Sequence, residues 1–342
     1  MRKENNIFFE NDNVYKLAKA SYEMSLDSNL IQGAGGNTSF KEGNTLWIKA
    51  SGTRLSDSLN KEIFVALDLN EINKLFHLAK DNVNFEFVRG TNLKPSIETF
   101  MHSLLPQKFI LHSHSTDIIS LSIRNNAEEI IKGLLGEVNF HFINYQIPGL
   151  QLAKAINDAN FKQELDVYIL QNHGLIIAGN DIEKTLDLQK EVLKRVKQKI
   201  REVKKPNVSK LVSKVKKIGK FRVPKNEIVH TLATDPINYQ LLQNNPPCPD
   251  NLVFCGLRPK FTDLDSLNKY FNNEDFLYCV LKDEGIILLS KATSATEIML
   301  EALAQIFLRI KKDETIHFLS DKECKELLNL DSEKFRLLIN NY

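Results

Sequence analysis

The stretch Phe109-Ile110-Leu111-His112-Ser113-His114-Ser115 decides how this chain is read. Three apolar residues lead into two histidines spaced two apart. On a β-strand, residues i and i+2 point to the same face. A strand here therefore aims both imidazoles at one point beside a sheet. A third histidine follows in Gln171-Asn172-His173-Gly174, at the end of the buried-type strand Asp166-Val-Tyr-Ile-Leu170. Three imidazoles meeting at one point with an open position form the arrangement of a catalytic divalent metal. The alternative is three unrelated capping or surface histidines, because His-x-His pairs also arise by chance. The surrounding sequence has to choose between them.

Outward from this stretch, the apolar periodicity predicts a mixed α/β chain. Residues 13–30 have helical spacing at Val14, Leu17, Ala18, Tyr22 and Leu26. Gly33-Ala-Gly-Gly36-Asn37-Thr38-Ser39 reads as a Gly-rich loop. Thr45–Ala50 and Phe64–Leu67 read as strands, and Asn70–Ala79 as a helix. Pro95-Ser96-Ile97-Glu98 reads as a helix start with Ser96 as its cap, running through His102 to Leu105. Ile118–Ile123 and Ala127–Leu135 look helical, and Phe140–Tyr145 looks like a strand. Leu175–Ala178 is expected to pair back on Asp166–Leu170. A long amphipathic helix follows, capped by Asn180 or Asp181.

Composition narrows the function classes. The chain has 342 residues, 42% hydrophobic and 26% charged, with a formal net charge of +2. That is ordinary globular composition, enough for one large or two medium domains, and it marks neither a nucleic-acid nor a membrane protein. No run approaches the length of a membrane span. The polar start Met1-Arg-Lys-Glu-Asn-Asn lacks an apolar leader core. Cys248, Cys255, Cys279 and Cys324 form no C-x-x-C pair and read as reduced thiols of a cytoplasmic protein.

Charge is distributed unevenly. Residues 194–225 hold fourteen Lys or Arg and a single acid, Glu202. This reads as a solvated helix end followed by a basic linker over 206–226, with polyanion binding as the alternative. No aromatic residue stands among the basic ones before Phe221, so base stacking has little support. Pro246-Pro247-Cys248-Pro249 marks a further irregular stretch. Past it, Phe276–Arg309 repeats the pattern of Val167–Lys197 when Gly285 is set on Gly174, an offset of 111. Glu284 then takes the place of His173, and no His-x-His precedes it. The C-terminal part is either a reduced copy of this unit without metal chemistry or a common strand–turn–strand–helix pattern.

Three small-residue sites precede the histidines: Gly35-Gly-Asn37-Thr-Ser39, Ala50-Ser51-Gly52-Thr53 and Pro95-Ser96-Ile-Glu98. Each offers backbone N–H groups with a hydroxyl or amide, and together they suit one phosphate. Glu98 is either a capping-box carboxylate or a general acid/base beside the metal. His102, one turn later, is a packing residue or a partner to the ligands, not itself a ligand. His77, His141, His230 and His317 stand in no motif.

In this order, Gly-Gly-Asn-Thr-Ser, Lys-Ala-Ser-Gly-Thr, Pro-Ser-Ile-Glu-Thr, His-Ser-His-Ser and Gln-Asn-His-Gly resemble the class II aldolase/adducin family over about residues 10–200. The wording is nearest to the aldolase part of bifunctional rhamnulose-1-phosphate aldolase/dehydrogenase proteins. The resemblance implies an α/β fold with a central, mainly antiparallel sheet flanked by helices. The expected division is a metal domain over 1–205, the linker over 206–226 and a smaller α/β region over 227–342. It further implies zinc or another divalent ion on His112, His114 and His173, with Glu98 as acid/base. Asn37, Ser51, Gly52 and Ser96 would hold the phosphate. The implied reaction is reversible cleavage of a ketose-1-phosphate through an enediolate, giving a dihydroxyacetone-phosphate-type fragment and an aldehyde. The implied partners are that sugar phosphate and further copies of the chain, with sites near subunit boundaries. The alternatives are a sugar-phosphate 4-epimerase on the same site and a non-catalytic adducin-like module, although such modules lack the metal histidines. One departure is Ile97, where several family members carry a second serine before the glutamate. No G-x-G-x-x-G unit of a dehydrogenase follows.

Overall fold

The computed structural model describes residues 12–78, 85–159, 165–267 and 275–339. It divides into two units, one of residues 1–118 with 128–197 and one of 119–127 with 198–342. The first begins with helix α1 (Asp12–Ser25) and strands β1 (Asn37–Glu42), β2 (Thr45–Lys49) and β3 (Phe64–Asp68). Helices α2 (Leu69–His77) and α3 (Thr99–Leu104) precede β4 (Phe109–Ser113). Helix α4 (Thr116–Ser122), most of which falls in the second unit, and α5 (Ala127–Leu135) then lead to β5 (His141–Ile143) and α6 (Leu150–Ala159). The unit closes with β6 (Leu165–Leu170), β7 (Gly174–Gly179) and α7 (Ile182–Val196).

Seven strands form one sheet in the order β3-β2-β1-β4-β7-β6-β5. Every pairing is antiparallel except β5 with β6. Strand alternation divides the apolar residues between two faces. Ile110 joins Leu46, Ile48, Phe100, Met101, Leu105, Ala153 and Ile156 beneath α3 and α6. Phe109 and Leu111 join Phe40, Trp47, Leu17, Ile182 and Leu186 beneath α1 and α7. By the same alternation His112 belongs to the α3 side. Burial of each Leu or Ile in these layers contributes roughly 1.5–3 kcal/mol, so the sheet's position between the helices is strongly determined.

Several expectations need correction. Helix α1 stops at Ser25 instead of running to residue 30, and Leu26 is exposed. Its last turn is replaced by a turn in which Asp27 O accepts from both Leu30 and Ile31 N–H, which buries those two side chains instead. The Gly-rich loop ends earlier than expected, because Asn37–Ser39 open the central strand β1. Helix α3 starts at Thr99 with Glu98, not Ser96, at its N-terminal boundary. Helix α6 corresponds to no sequence expectation. The end of the expected second helix, Ala79, and the polar start Met1–Asn6 lie outside the described residues.

Residues 206–226, read as a basic linker, hold helix α8 (Ser209–Ile218) and strand β8 (Phe221–Arg222). Leu211, Val215 and Phe221 are buried in a second core with Leu264, Leu267, Cys279, Leu281 and Ile287. The lysines occupy the outer side of an amphipathic helix whose inner side carries these apolar residues. The short helices α9 (Thr231–Thr234), α10 (Pro236–Leu241) and α11 (Pro249–Cys255) follow. The last starts inside the Pro-rich stretch, with Pro249 in its first turn. Then come β9 (Lys260–Thr262), β10 (Tyr278–Leu281), β11 (Gly285–Leu289), α12 (Ser294–Phe307), α13 (Asp321–Asn329) and α14 (Asp331–Ile339).

The second sheet has the order β8-β11-β10-β9 and repeats the pairing senses of β4-β7-β6-β5. Residues 111 apart also share register. Leu170↔Gly174 corresponds to Leu281↔Gly285, and Leu111↔Ile177 to Arg222↔Leu288. Asn172 and Asp283, again 111 apart, both turn the hairpin with φ near +60°. At this offset Val223, Lys225 and Glu284 stand where His112, His114 and His173 stand in the first sheet. Among the described residues, no helix is long and apolar enough to cross a membrane.

Candidate metal centre

The register places the three histidines. Strand β1 pairs with β4 so that Asn37 lies opposite His112. Strand β7 pairs with β4 on its other side, with Ser113 opposite Leu175. The turn before β7 therefore brings His173 beside the end of β4. One close backbone approach beside it is seen at Gly36. A Cβ on Gly36 would meet the His112 carbonyl oxygen at 2.8 Å and Ile31 Cδ1 at 2.7 Å, and its φ of +64° suits only glycine well. His114 is held by its own N–H, which donates to Leu30 O at 3.1 Å.

The ligand atoms of His112, His114 and His173 lie within 4.8 Å of one another, and all three residues are buried. His112 Nε2 is 3.1 Å from His114 Nε2. His112 Nδ1 donates to Leu175 O at 3.1 Å, which leaves Nε2 with its lone pair toward the others. Two bare imidazole nitrogens at that distance repel, so the arrangement suits a shared cation.

Glu98 completes the cluster. Its Oε2 is 3.5 Å from His112 Nε2 and its Oε1 is 3.5 Å from His173 Nε2. The residue is 4% exposed, and Oε1 is buried without a hydrogen-bond partner. The side chain makes no capping bond to α3, so the capping-box role is not the one adopted. Burial works to raise its pKa. The adjoining His112 and His173 imidazoles, the Asn37 hydrogen bond and then His114 outweigh burial and hold the carboxyl down at about 2. A buried, ionised carboxylate with an oxygen unpaired beside three imidazoles fits a site built for a divalent ion.

The phosphate candidates gather next to this cluster. Ala50 bridges Pro95, and Ser51 N–H donates to Lys94 O at 2.8 Å, which brings Ser51 and Gly52 beside the Ser96 turn. Ser96 Oγ accepts from Glu98 N–H at 3.2 Å and from Asn37 Nδ2 at 3.3 Å. With both lone pairs used, its own O–H remains to donate. The Ser51 amide is already occupied, unlike in the expectation that every turn offers free N–H groups. Every side-chain polar atom of Asn37 is also engaged, so a phosphate contact from it requires release of the bond to Ser96.

Sequence reasoning missed the polar face of β1. Asn37, Ser39 and Lys41 alternate with Thr38 and Phe40, and all five are buried. Lys41 Nζ donates to His102 O at 3.0 Å and to Leu105 O, which ties the end of α3 to the sheet. Burial pushes its pKa down to about 7. His102 is fully buried and bonded to Ser39 and Asn37. Burial, then His112 and Lys41, lower its pKa to about 3 against the pull of Glu98, so it is neutral. The available signal was four polar residues within five positions, Asn37, Thr38, Ser39 and Lys41 around Phe40, next to a strand pair.

Known proteins resemble the same part of the chain. The profile described as Class II Aldolase and Adducin N-terminal domain matches residues 15–199. The uncharacterized oxidoreductase YuxG of Bacillus subtilis is 27% identical over 221 residues, which cover 56% of this chain and 32% of that protein. The chain thus spans about a third of that relative's length. The L-fuculose phosphate aldolase of Methanocaldococcus jannaschii is 28% identical over 164 residues, 46% of this chain and 78% of that protein. Among solved structures, the N-terminal class II aldolase domain of a conserved Thermoplasma acidophilum protein is 26% identical. It aligns with a TM-score of 0.49 over 55% of this chain and 93% of its own. All the site residues named above lie inside the matched segment 15–199.

Proposed function

The chain belongs to the class II aldolase and adducin family, and from that premise we propose that it is a divalent-metal aldolase. The reaction is reversible cleavage of a phosphorylated ketose into a dihydroxyacetone-phosphate-type fragment and an aldehyde. The observation that carries this reading is the buried convergence of His112, His114 and His173 on Glu98. Those three imidazoles would hold zinc or a similar ion. When bound, the ion supplies Lewis-acid stabilisation of the negative charge that develops on the substrate oxygens as the carbon–carbon bond breaks.

The chain's own residues do the rest. In the condensation direction the ionised Glu98 takes the proton from the reacting carbon of the ketone fragment, and in cleavage it returns that proton to the same carbon while a separate base takes the proton of the aldehyde-side hydroxyl. Ser96, Ser51, Gly52 and Asn37 bind the phosphate away from the reacting carbon and orient the substrate. Burial of the histidines and of Glu98 excludes water, which strengthens every electrostatic contact among them. The second unit, with Val223, Lys225 and Glu284 at the corresponding positions, is on this reading a half-copy without metal chemistry. The working form is a cytoplasmic homo-oligomer with sites near subunit boundaries. Support for the compartment comes from four buried cysteines that are thiols, not disulfides. Light scattering tests the oligomeric state.

The deciding experiment is metal analysis of the purified protein, coupled to a screen of ketose-1-phosphates for aldehyde release. Stoichiometric metal with free aldehyde is expected. Metal-free protein, or His112→Ala protein with full activity, would refute the proposal. Interconversion of ketose phosphates without free aldehyde would assign the site to a 4-epimerase instead.

A further inference from the structure

His102 has no part in the reaction as described, yet it sits at the centre of a hydrogen-bond chain that ends on Glu98. Ser39 Oγ is 2.7 Å from His102 Nδ1, and His102 Nε2 is bonded to Asn37 Oδ1. Asn37 Nδ2 in turn meets Glu98 Oε2 at 2.5 Å. Ser39 and His102 are fully buried, Asn37 is 5% exposed and Glu98 is 4% exposed. Water cannot replace any member of the chain without opening the sheet.

Only one assignment of protons satisfies these contacts. Asn37 turns its Nδ2 toward Glu98 Oε2 and donates to it. That orientation leaves Asn37 Oδ1, which also only accepts, facing His102. His102 Nε2 must therefore carry the proton. A neutral imidazole then has a bare Nδ1, and Ser39 O–H must donate to it. The donors all run in one direction, Ser39 to His102 to Asn37 to Glu98. With the other tautomer of His102, Asn37 would gain nothing by keeping Oδ1 on that side. A flipped amide would set its oxygen against the Glu98 carboxylate, two acceptors in contact in a buried site.

We propose that His102 is a positioning residue: it fixes the amide of Asn37 and through it holds Oε2 of Glu98, leaving Oε1 to face the reacting centre. This rests on the aldolase reading for its catalytic consequence but not for its geometry. Glu98 has two oxygens and a flexible side chain. Only one of its oxygens is anchored by a directed donor. The other, Oε1, is the buried atom without a hydrogen-bond partner, on the side of His173. A carboxylate that is pinned at one oxygen presents the other in a single place, and proton transfer depends on that placement.

Two variants separate positioning from packing. The side-chain nitrogen of Gln reaches about as far as His Nε2, so His102→Gln keeps a donor for Asn37. The shorter side chain of His102→Asn reaches only the Ser39 side. Aldehyde release from the best ketose phosphate, metal stoichiometry and thermal midpoint are measured for both. The expected result is a fall of about 10- to 100-fold in kcat for His102→Asn, as for other residues that orient a metal-site group. KM should change less and metal content should hold, with kcat largely recovered in His102→Gln. Equal losses in the two variants, or near-wild-type kcat in His102→Asn, would overturn the proposal.

An arm without activity keeps the two readings apart. The ¹⁵N spectrum of histidine-labelled protein, stripped of metal, reports the tautomer of each imidazole, with His102 assigned by its absence in His102→Gln. A neutral Nε2–H form throughout the neutral range is expected. An Nδ1–H form or an imidazolium at neutral pH would overturn the chain of donors, whatever the wild-type protein does to sugar phosphates. If wild type cleaves no ketose phosphate but the tautomer is as stated, the aldolase reading falls and the positioning geometry stands.

Discussion

Gly174→Ala should damage the metal site through one contact. A Cβ at Gly174 would lie 2.2 Å from the carbonyl oxygen of Ser113, 3.2 Å from its carbonyl carbon and 3.4 Å from His114 Cα. All three are backbone atoms of the His112–His114 segment, so no side chain can rotate away. Even a tight carbon–oxygen contact is about 3.2 Å, so strand β7 and the end of β4 must separate by at least about 1 Å. Metal–ligand distances tolerate only about 0.2 Å, and the segment that moves carries two of the three imidazoles. Overpacking of this kind costs roughly 1–3 kcal/mol of stability. The metal site should lose more, because His173 precedes the glycine and His114 follows Ser113. A fall of about 100-fold in metal affinity is expected, comparable to the cost of a 1 Å misplacement in an active site. Competition with a chromophoric chelator measures the affinity, and urea unfolding of the metal-free protein measures the stability. Gly43→Ala is the control: its φ is +58° but nothing lies within 4 Å of the added Cβ. It should cost about 1 kcal/mol of stability and leave metal affinity unchanged. If Gly174→Ala binds metal as tightly as wild type, the argument that β7 presses the ligands into place is wrong.

Three further outcomes follow from named contacts. His112→Ala removes one of the three clustered imidazoles and its bond to Leu175 O, so metal content should fall to near zero; retention of a stoichiometric ion would exclude this histidine as a ligand. Lys41 is depressed by burial from 10.5 to about 7. Between those pH values the unfolded chain binds more protons than the native one, so this group makes stability rise with pH across that window and leaves it flat below about 7. Relative to Lys41→Met, wild type should gain roughly 2 kcal/mol between pH 7.5 and 9.5 in urea unfolding; identical slopes would show that Nζ is not desolvated. Phe221 lies in the segment read from sequence as a linker but is buried among Leu211, Val215 and Ile287. Phe221→Ala should cost about 3–5 kcal/mol in the second unit, whereas a loss under about 1 kcal/mol would mean that β8 does not belong to that core.

Some features were legible because they are local. The apolar run before His112 and the two-residue spacing of the histidines require only that the segment be a strand. The hairpin through Asn172 and its echo at Asp283 follow from two short apolar runs around a tight turn. Helix α7 announced itself by amphipathic spacing and by Asp181, whose side chain does accept from Lys184 N–H. Others were misread because tertiary contacts overrode the local pattern. Leu26 continues the spacing of α1 but is exposed, while Leu30 leaves the helix to hold His114. The lysines of α8 are as many as its apolar residues, so its composition resembles a solvated linker although its inner side is core.

Residue spacing alone put His112 and His114 on one face of a strand end, His173 at a strand end and Glu98 near a helix start. It also determined that the metal motif occurs once and that its echo 111 residues on carries Glu284. Only the tertiary structure decided how Glu98 is held. Strand β1 turns a polar edge, Asn37, Ser39 and Lys41, toward α3, an inversion of the usual apolar interior that no periodicity signals. It does so because the antiparallel register sets Asn37 opposite His112. Buried donors there must find acceptors, and they find them in His102, Glu98 and the end of α3. Spacing along a chain specifies which residues share a face, but which hydrogen bonds close across that face depends on strands far apart in sequence lying side by side.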